Sequence, residues 1–253
     1  MTLGPSSQST FWLDSLPTVE RMSPSPRNRS SLIFFSGAGL PAWVWDDVRS
    51  DLAHGGTVAP RPSTGSTVAD YAQAALDAAP GGPLTVVAHS SGGLVATDLA
   101  AMAPRRVVAV LAIAAVIPLP HRSFTASLPF PQRLVLPVVL RLLGTRPPEA
   151  AIRASLGNGV TKNVVERLLQ DFTPEPREYF TSRSRAGIAP ARGYASTTDD
   201  TEVSPALQAT YADRLRPTAR YTLGAGHYPM LTEPRAVAEI VTAFHDLVDG
   251  PSK

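Results

Sequence analysis

The sequence predicts an α/β fold, a mostly parallel sheet with helices on both faces and a helical insertion. Three observations carry this reading. Short continuous apolar runs, which suit strands buried on both faces, alternate with longer segments of helical periodicity. Glycine and proline mark the junctions. The alternation breaks only over residues 117–190, where helix follows helix. Alternating strand and helix is the pattern of parallel strands joined by crossovers.

Taken in order, residues 1–30 carry Ser23-Pro24-Ser25-Pro26 and read as a flexible N-terminal tail. They show no basic n-region and no apolar h-region, so a cytoplasmic rather than secreted chain is expected, and Met22 is an alternative start. The core is expected over 31–116 and 191–250. Its first strand is 32–35, an apolar run stopped by Ser36-Gly37-Ala38-Gly39. Residues 43–54 have Trp45, Val48 and Leu52 at helical spacing, ended by Gly55-Gly56. A short strand follows at 57–59, then an alanine-rich helix over 68–79, stopped by Pro80-Gly81-Gly82-Pro83. Residues 84–88 and 107–116 predict buried strands with a helix, 92–103, between them. The insertion, 117–190, predicts helices over 131–143, 148–156, 161–172 and 174–186. Strand 193–198, helix 204–215, strand 220–223 and helix 234–248 close the chain.

Composition excludes several classes of function. The 253 residues suit one large α/β domain or two small ones, and a charged fraction of 17% argues against a disordered chain. With no cysteine there is no disulfide, no thiolate zinc site and no cysteine nucleophile. All but two of the 23 basic residues are arginine, they are scattered, and net charge is +2, so no nucleic-acid partner is expected and no strong drive toward an anionic membrane. No segment reaches the roughly 18 apolar residues of a membrane span. No metal-ligand spacing and no glycine-rich phosphate loop occur, so neither metal nor cofactor is expected.

The strongest chemical signal is Ala88-His89-Ser90-Ser91-Gly92-Gly93, set between a buried strand and a helix. A serine there is forced into a tight turn, with its hydroxyl clear of the backbone and near a helix N-terminus. Ala88 replaces the first glycine of the G-x-S-x-G pattern, the smallest change available. The bland alternative is an unreactive Ser/Gly-rich turn. A second signal is Gly224-Ala225-Gly226-His227, where a histidine in a glycine-rich loop suits a general base. The third is Asp199-Asp200 at the end of a predicted strand. All three fall at C-terminal strand ends, where open parallel sheets place their sites, and the order Ser, Asp, His is that of a known triad topology.

With these motifs the chain resembles the α/β-hydrolase superfamily, and within it the small serine esterases and hydroxynitrile lyases. The elbow resembles that group's G-H-S-x-G-G, residues 225–231 its A-G-H-x-P-M-L, and residues 35–45 its oxyanion loop followed by tryptophan. The resemblance covers about 32–248. It implies Ser90 as nucleophile, His227 as base and Asp200 as the residue orienting the imidazole, because Asp200-Thr201-Glu202-Val203-Ser204-Pro205 matches a D-x-x-V-x-P phrase. It also implies an oxyanion hole from the N–H groups of Ala38 and Ser91. Ser36 departs from the group, which carries histidine there, so the loop is expected to be held differently.

In this architecture the insertion is expected to cap the site as a lid; the plainer alternative for its apolar first helix is packing onto the domain. Residues 134–143 are very apolar and interrupted by Pro137, which predicts a kinked helix over the mouth. Leu136, Leu140, Tyr179 and Phe180 are the expected substrate contacts, and the partner a small hydrophobic molecule. A homodimer is left open. His89 is expected to make a structural hydrogen bond, His54 and His245 to be structural or surface residues, and Trp43 and Trp45 to anchor the core; His121 opens the insertion and could line the pocket. The function expected is cleavage of a carboxylic ester or lactone through an acyl-enzyme. Two alternatives stand beside it, a cyclase, lyase or acyl transferase on the same fold and a silent ligand-binding protein. Tyr228, where hydroxynitrile lyases carry lysine, disfavours that lyase chemistry; Ser90, where epoxide hydrolases and haloalkane dehalogenases need aspartate, disfavours those.

Overall fold

A computed structural model describes residues 29–156 and 159–251. Its centre is one six-stranded parallel sheet in the order β2-β1-β3-β4-β5-β6. The strands are β1 (Ser31–Phe35), β2 (Thr57–Val58), β3 (Leu84–His89), β4 (Val107–Ile113), β5 (Ala191–Thr197) and β6 (Ala219–Leu223). Side chains alternate between the two faces of a strand. Ile33 and Phe35 of β1, Val86 and Ala88 of β3 and Val110 and Ala112 of β4 enter one core. Leu32, Phe34, Val87, Leu111 and Ile113 enter the other. Both faces are covered, which is why the strands read as unbroken apolar runs.

The first core is closed by α2 (Val68–Ala78), α3 (Gly92–Met102) and α9 (Pro205–Leu215). The second is closed by α1 (Asp46–Ser50) and α11 (Pro234–Asp249), through Trp45, Val48, Val237, Val241 and Phe244. A Thr67–Asp70 capping box opens α2. Each large side chain buried this way contributes about 1.5–3 kcal/mol relative to exposure. The chain leaves β1 toward β2 and returns on its other side to form β3, so β1 and β3 flank a switch point, the usual place for a site.

Between β4 and β5 lie α4 (Phe124–Ser127), α5 (Gln132–Leu142), α6 (Glu149–Leu156), α7 (Lys162–Asp171) and α8 (Arg177–Thr181). A short α10 (Pro229–Thr232) precedes α11.

Several expectations are corrected. The helix expected at 43–54 is a 3-10 turn, Ala42–Trp45, followed by α1; beyond it Leu52 and Gly55 donate to carbonyls three residues back, so the chain winds on in tighter turns. The strand expected to reach 116 ends at Ile113, because Ala114 turns to φ 45°. The helix expected at 174–186 shrinks to α8. Pro174 and Pro176 have no N–H to donate, and the Arg185 N–H goes to Asp98 of α3 at 2.6 Å instead of to a helical carbonyl. The short α4 and α10 were not expected. Trp45 is fully buried, whereas Trp43 packs only half-buried against the second core: it donates from Nε1 to Asp171 at 2.8 Å and lies under Arg167. The tail expected over 1–30 lies outside the described residues except for its end, where Arg29 pairs with Asp246 at 2.6 Å and Ser30 is buried against Thr85 and His245.

Candidate active site

Strand β3 delivers Ser90 into a turn with φ 52°, a left-handed conformation that a serine adopts only under constraint. The constraint is local. The Ser90 N–H donates to Ile113 at 3.3 Å, and the Ser90 carbonyl accepts from Gly93 at 3.1 Å and Val116 at 2.9 Å. A Cβ on Gly93 would stand 2.5 Å from the Val116 carbonyl, so the turn admits no side chain there. A Cβ on Gly37 would stand 3.0 Å from that of Ser90 and 3.1 Å from His89 Nδ1, which is how the loop after β1 comes so close to the serine.

The loop after β6 brings His227 over this turn. Its Nδ1 lies 2.7 Å from Asp200 Oδ2 and its Nε2 3.0 Å from Ser90 Oγ. A carboxylate can only accept, so Nδ1 carries the proton and Nε2 is left to accept from the serine hydroxyl. Asp200 is itself fixed: Oδ1 takes the N–H groups of Glu202 and Val203, each at 2.8 Å, and Oδ2 takes the Thr197 hydroxyl and the Gln208 side-chain N–H. Burial works against the Asp200 charge, but the His227 contact and these N–H donors prevail and hold its pKa below the usual value. Asp199 is exposed, and among the described residues its carboxylate takes only the neighbouring Thr198 hydroxyl. The structure thus brings Ser90, His227 and Asp200 into one relay and leaves Asp199 out.

Two carboxylates that the motifs did not single out stand in the same place. Glu202 Oε2 lies 3.4 Å from His227 Nε2, and its Oε1 accepts from Tyr228 Oη at 3.1 Å. Burial disfavours the His227 cation, yet the Asp200 hydrogen bond and the Glu202 charge outweigh it and raise its pKa. Glu175, buried, accepts the Gly39 N–H at 3.1 Å, pairs with Arg61 at 2.9 Å and takes the Tyr71 hydroxyl. Ser36, where histidine was the pattern, accepts from Trp45 Nε1 at 3.0 Å. Single carboxylates in helical or loop sequence carry no spacing signal, so nothing in the chain alone marks Glu175 or Glu202.

His89 donates from Nε2 to the His227 carbonyl at 2.7 Å. Its Nδ1 is the buried side-chain atom without a partner among the described residues, and burial, then the neighbouring His227, push its pKa down to about 3. It is therefore neutral and braces the backbone of His227. His245 is buried against Ser30 and Asp249, and His54 is exposed. His121 is exposed and lies off the cavity, correcting the thought that it could line it.

A cavity of about 570 Å³ opens over Ser90 and His227. Ala38 and Ser91 lie on its wall, and among the described residues their backbone N–H groups find no acceptor. Leu136, Leu140 and Phe180 also line it, with Phe124, Ile152 and Phe172. Tyr179 does not. It is buried beside a smaller cavity of about 270 Å³, and its hydroxyl meets Ser91 Oγ at 3.0 Å. It braces the turn instead of facing the main cavity, a correction to its expected place.

Residues 32–240 match the sequence model of the alpha/beta hydrolase family. Among curated proteins, none matches this chain. Solved structures share the fold. An extracellular alpha/beta-hydrolase from a Paenibacillus species, described as sharing structural and functional homology with tobacco salicylic acid binding protein 2, is 19% identical with a TM-score of 0.72; the match covers 85% of this chain and 98% of that one. A pyrethroid hydrolase from Sphingobium faniae is 20% identical with a TM-score of 0.63, over 86% of this chain and 97% of that one. A methylesterase from Arabidopsis is 17% identical with a TM-score of 0.65, over 84% and 97% respectively.

Proposed function

Since this chain belongs to the alpha/beta hydrolase family, we propose that it is a serine hydrolase that cleaves a carboxylic ester or lactone of a small hydrophobic substrate through an acyl-enzyme. The observation that carries this reading is the relay itself: Ser90 Oγ 3.0 Å from His227 Nε2, with Nδ1 of the same ring 2.7 Å from a buried Asp200. The chemistry follows from the proton positions. As Ser90 Oγ bonds to the acyl carbon, its proton passes to His227 Nε2. Asp200 stabilises the resulting imidazolium. The carbonyl oxygen gains negative charge and is met by the free N–H groups of Ala38 and Ser91, an arrangement worth several kcal/mol of barrier. Collapse breaks the ester C–O bond, and His227 returns the proton to the leaving alkoxide oxygen. Water, losing a proton to His227, then attacks the acyl carbon; the bond from Ser90 Oγ to that carbon breaks, and His227 returns the proton to Oγ as the acid leaves.

The substrate class rests on the cavity. Its volume suits a small molecule, and leucine and phenylalanine walls favour an apolar acyl or alkoxy group. Residues 117–190 act as the lid of this cavity in our reading, since α5 supplies Leu136 and Leu140 to its wall. That a methylesterase and a pyrethroid hydrolase share the fold is in keeping with ester cleavage.

The test is a series of p-nitrophenyl esters from acetate upward with the wild-type chain and Ser90→Ala. The reading expects turnover that improves with acyl length until the cavity is full, and none above background in the variant. Full turnover by a folded Ser90→Ala protein would sink it.

A further inference from the structure

The near-neutral net charge hides an uneven distribution. Residues 99–148 contain no aspartate or glutamate, yet hold six arginines. Within this stretch α5 turns Leu136 and Leu140 toward the cavity and leaves an apolar face outside. Phe130, Leu134, Val135, Val138, Leu142 and Leu143 are between 54% and 79% exposed. So large a cluster on one helix and its flanks differs from the singly scattered apolar residues that any surface carries.

Beside this face lies a cleft of about 680 Å³ between α4, α5 and α9. Arg122, Arg133 and Arg214 line it together with Leu119, Leu128 and Leu134, and no carboxylate does. Among the described residues neither these three arginines nor Arg141 form an ion pair; Arg214 donates to the Ile117 carbonyl at 3.1 Å and lies over the Tyr211 ring. A face that combines exposed leucine and phenylalanine with unpaired arginine is the composition of a surface that lies in a lipid headgroup region.

We propose that the outer face of α5 and the neighbouring arginine cleft dock this protein on an anionic lipid surface. The apolar side chains enter the boundary of the acyl chains, while Arg122, Arg133, Arg141 and Arg214 meet lipid phosphates. Charge complementarity selects this occupant over a second copy of the chain. A closed two-fold dimer sets the same patch against itself, and a cleft lined by no carboxylate brings its arginines no opposite charge. The proposal stands apart from the catalytic reading, because none of the exposed α5 residues lines the cavity.

The experiment is flotation of the full chain with vesicles of phosphatidylglycerol or of phosphatidylcholine, at low and high salt. Two double variants join it, Leu142→Ser with Leu143→Ser and Arg133→Gln with Arg141→Gln; all four residues are exposed, and soluble-ester turnover should be unchanged. The proposal expects binding to phosphatidylglycerol, about tenfold or more weaker binding to phosphatidylcholine, loss in high salt, and at least about tenfold weakening by the arginine pair. The leucine pair should weaken binding as well. Absent binding to phosphatidylglycerol, or equal binding to both lipids, overturns it. So does light scattering that finds a dimer which the leucine pair dissociates, since the face would then be a self-interface.

Discussion

Glu175 accepts the backbone N–H of Gly39 at 3.1 Å, tying the helical segment between β4 and β5 to the loop that carries Ala38. The carboxylate is held in turn by Arg61 and Tyr71. The loop that would bind an oxyanion is therefore fixed from the side of the proposed lid, and Ser36 braces its other end through Trp45.

Glu175→Ala should lower kcat about 10- to 100-fold with a smaller change in KM. Loss of an oxyanion donor outright costs about 10²–10³, and a loosened loop should cost less. Glu175→Gln keeps an acceptor for Gly39 and should fall between. Steady-state kinetics beside a melting curve separates this from unfolding; an Ala variant with wild-type kcat would show that the loop holds itself.

Glu202→Gln should move the acid limb of kcat/KM to lower pH. His227 must be neutral to accept the Ser90 proton, so activity rises as pH climbs through its pKa. Glu202, 3.4 Å from Nε2, helps hold that pKa up, while Asp200 acts from Nδ1 and His89 is neutral. Removing the Glu202 charge lowers the pKa, and the limb follows it downward. A limb that stays in place, or moves up, contradicts this role.

Asp200→Asn should be far more damaging than Asp199→Asn. The amide cannot fix the histidine tautomer, and the comparable change in a serine protease costs about 10⁴ in kcat. Asp199 is exposed and off the relay, so its variant should stay within about twofold. The reverse ranking of the two rates would mean that the imidazole is oriented by the other carboxylate.

Leu136→Ser or Leu140→Ser should raise KM for long acyl esters more than for acetate. Each buried methylene contributes about 0.8 kcal/mol, so only substrates long enough to reach α5 lose it. An equal effect across the series would place α5 outside the substrate path.

Much of this architecture was legible because it depends on local pattern. Strands buried on both faces read as apolar runs, and the turn at Ser90 and the loop at His227 read as motifs at strand ends. Asp200 stood out from Asp199 only through the phrase around it. What escaped depends on tertiary approach. Glu175 and Glu202 matter because distant segments bring them to Gly39 and His227. Asp98 draws Arg185 away from helical geometry, which no window around residue 185 reveals. Tyr179 and Phe180 are adjacent in sequence yet face different cavities, a distinction that a periodicity argument over an uncertain helix could not make.

The central claim is that Ser90 is a nucleophile activated by His227. Intact-mass and peptide mapping after treatment with a fluorophosphonate tests it most directly, since attack on phosphorus expels fluoride and leaves a stable phosphonyl ester on the attacking oxygen. The account predicts about one adduct per chain, located on Ser90, absent in Ser90→Ala and formed far more slowly in His227→Ala. A folded wild-type protein that takes no label, or takes it on a different residue, would contradict the account.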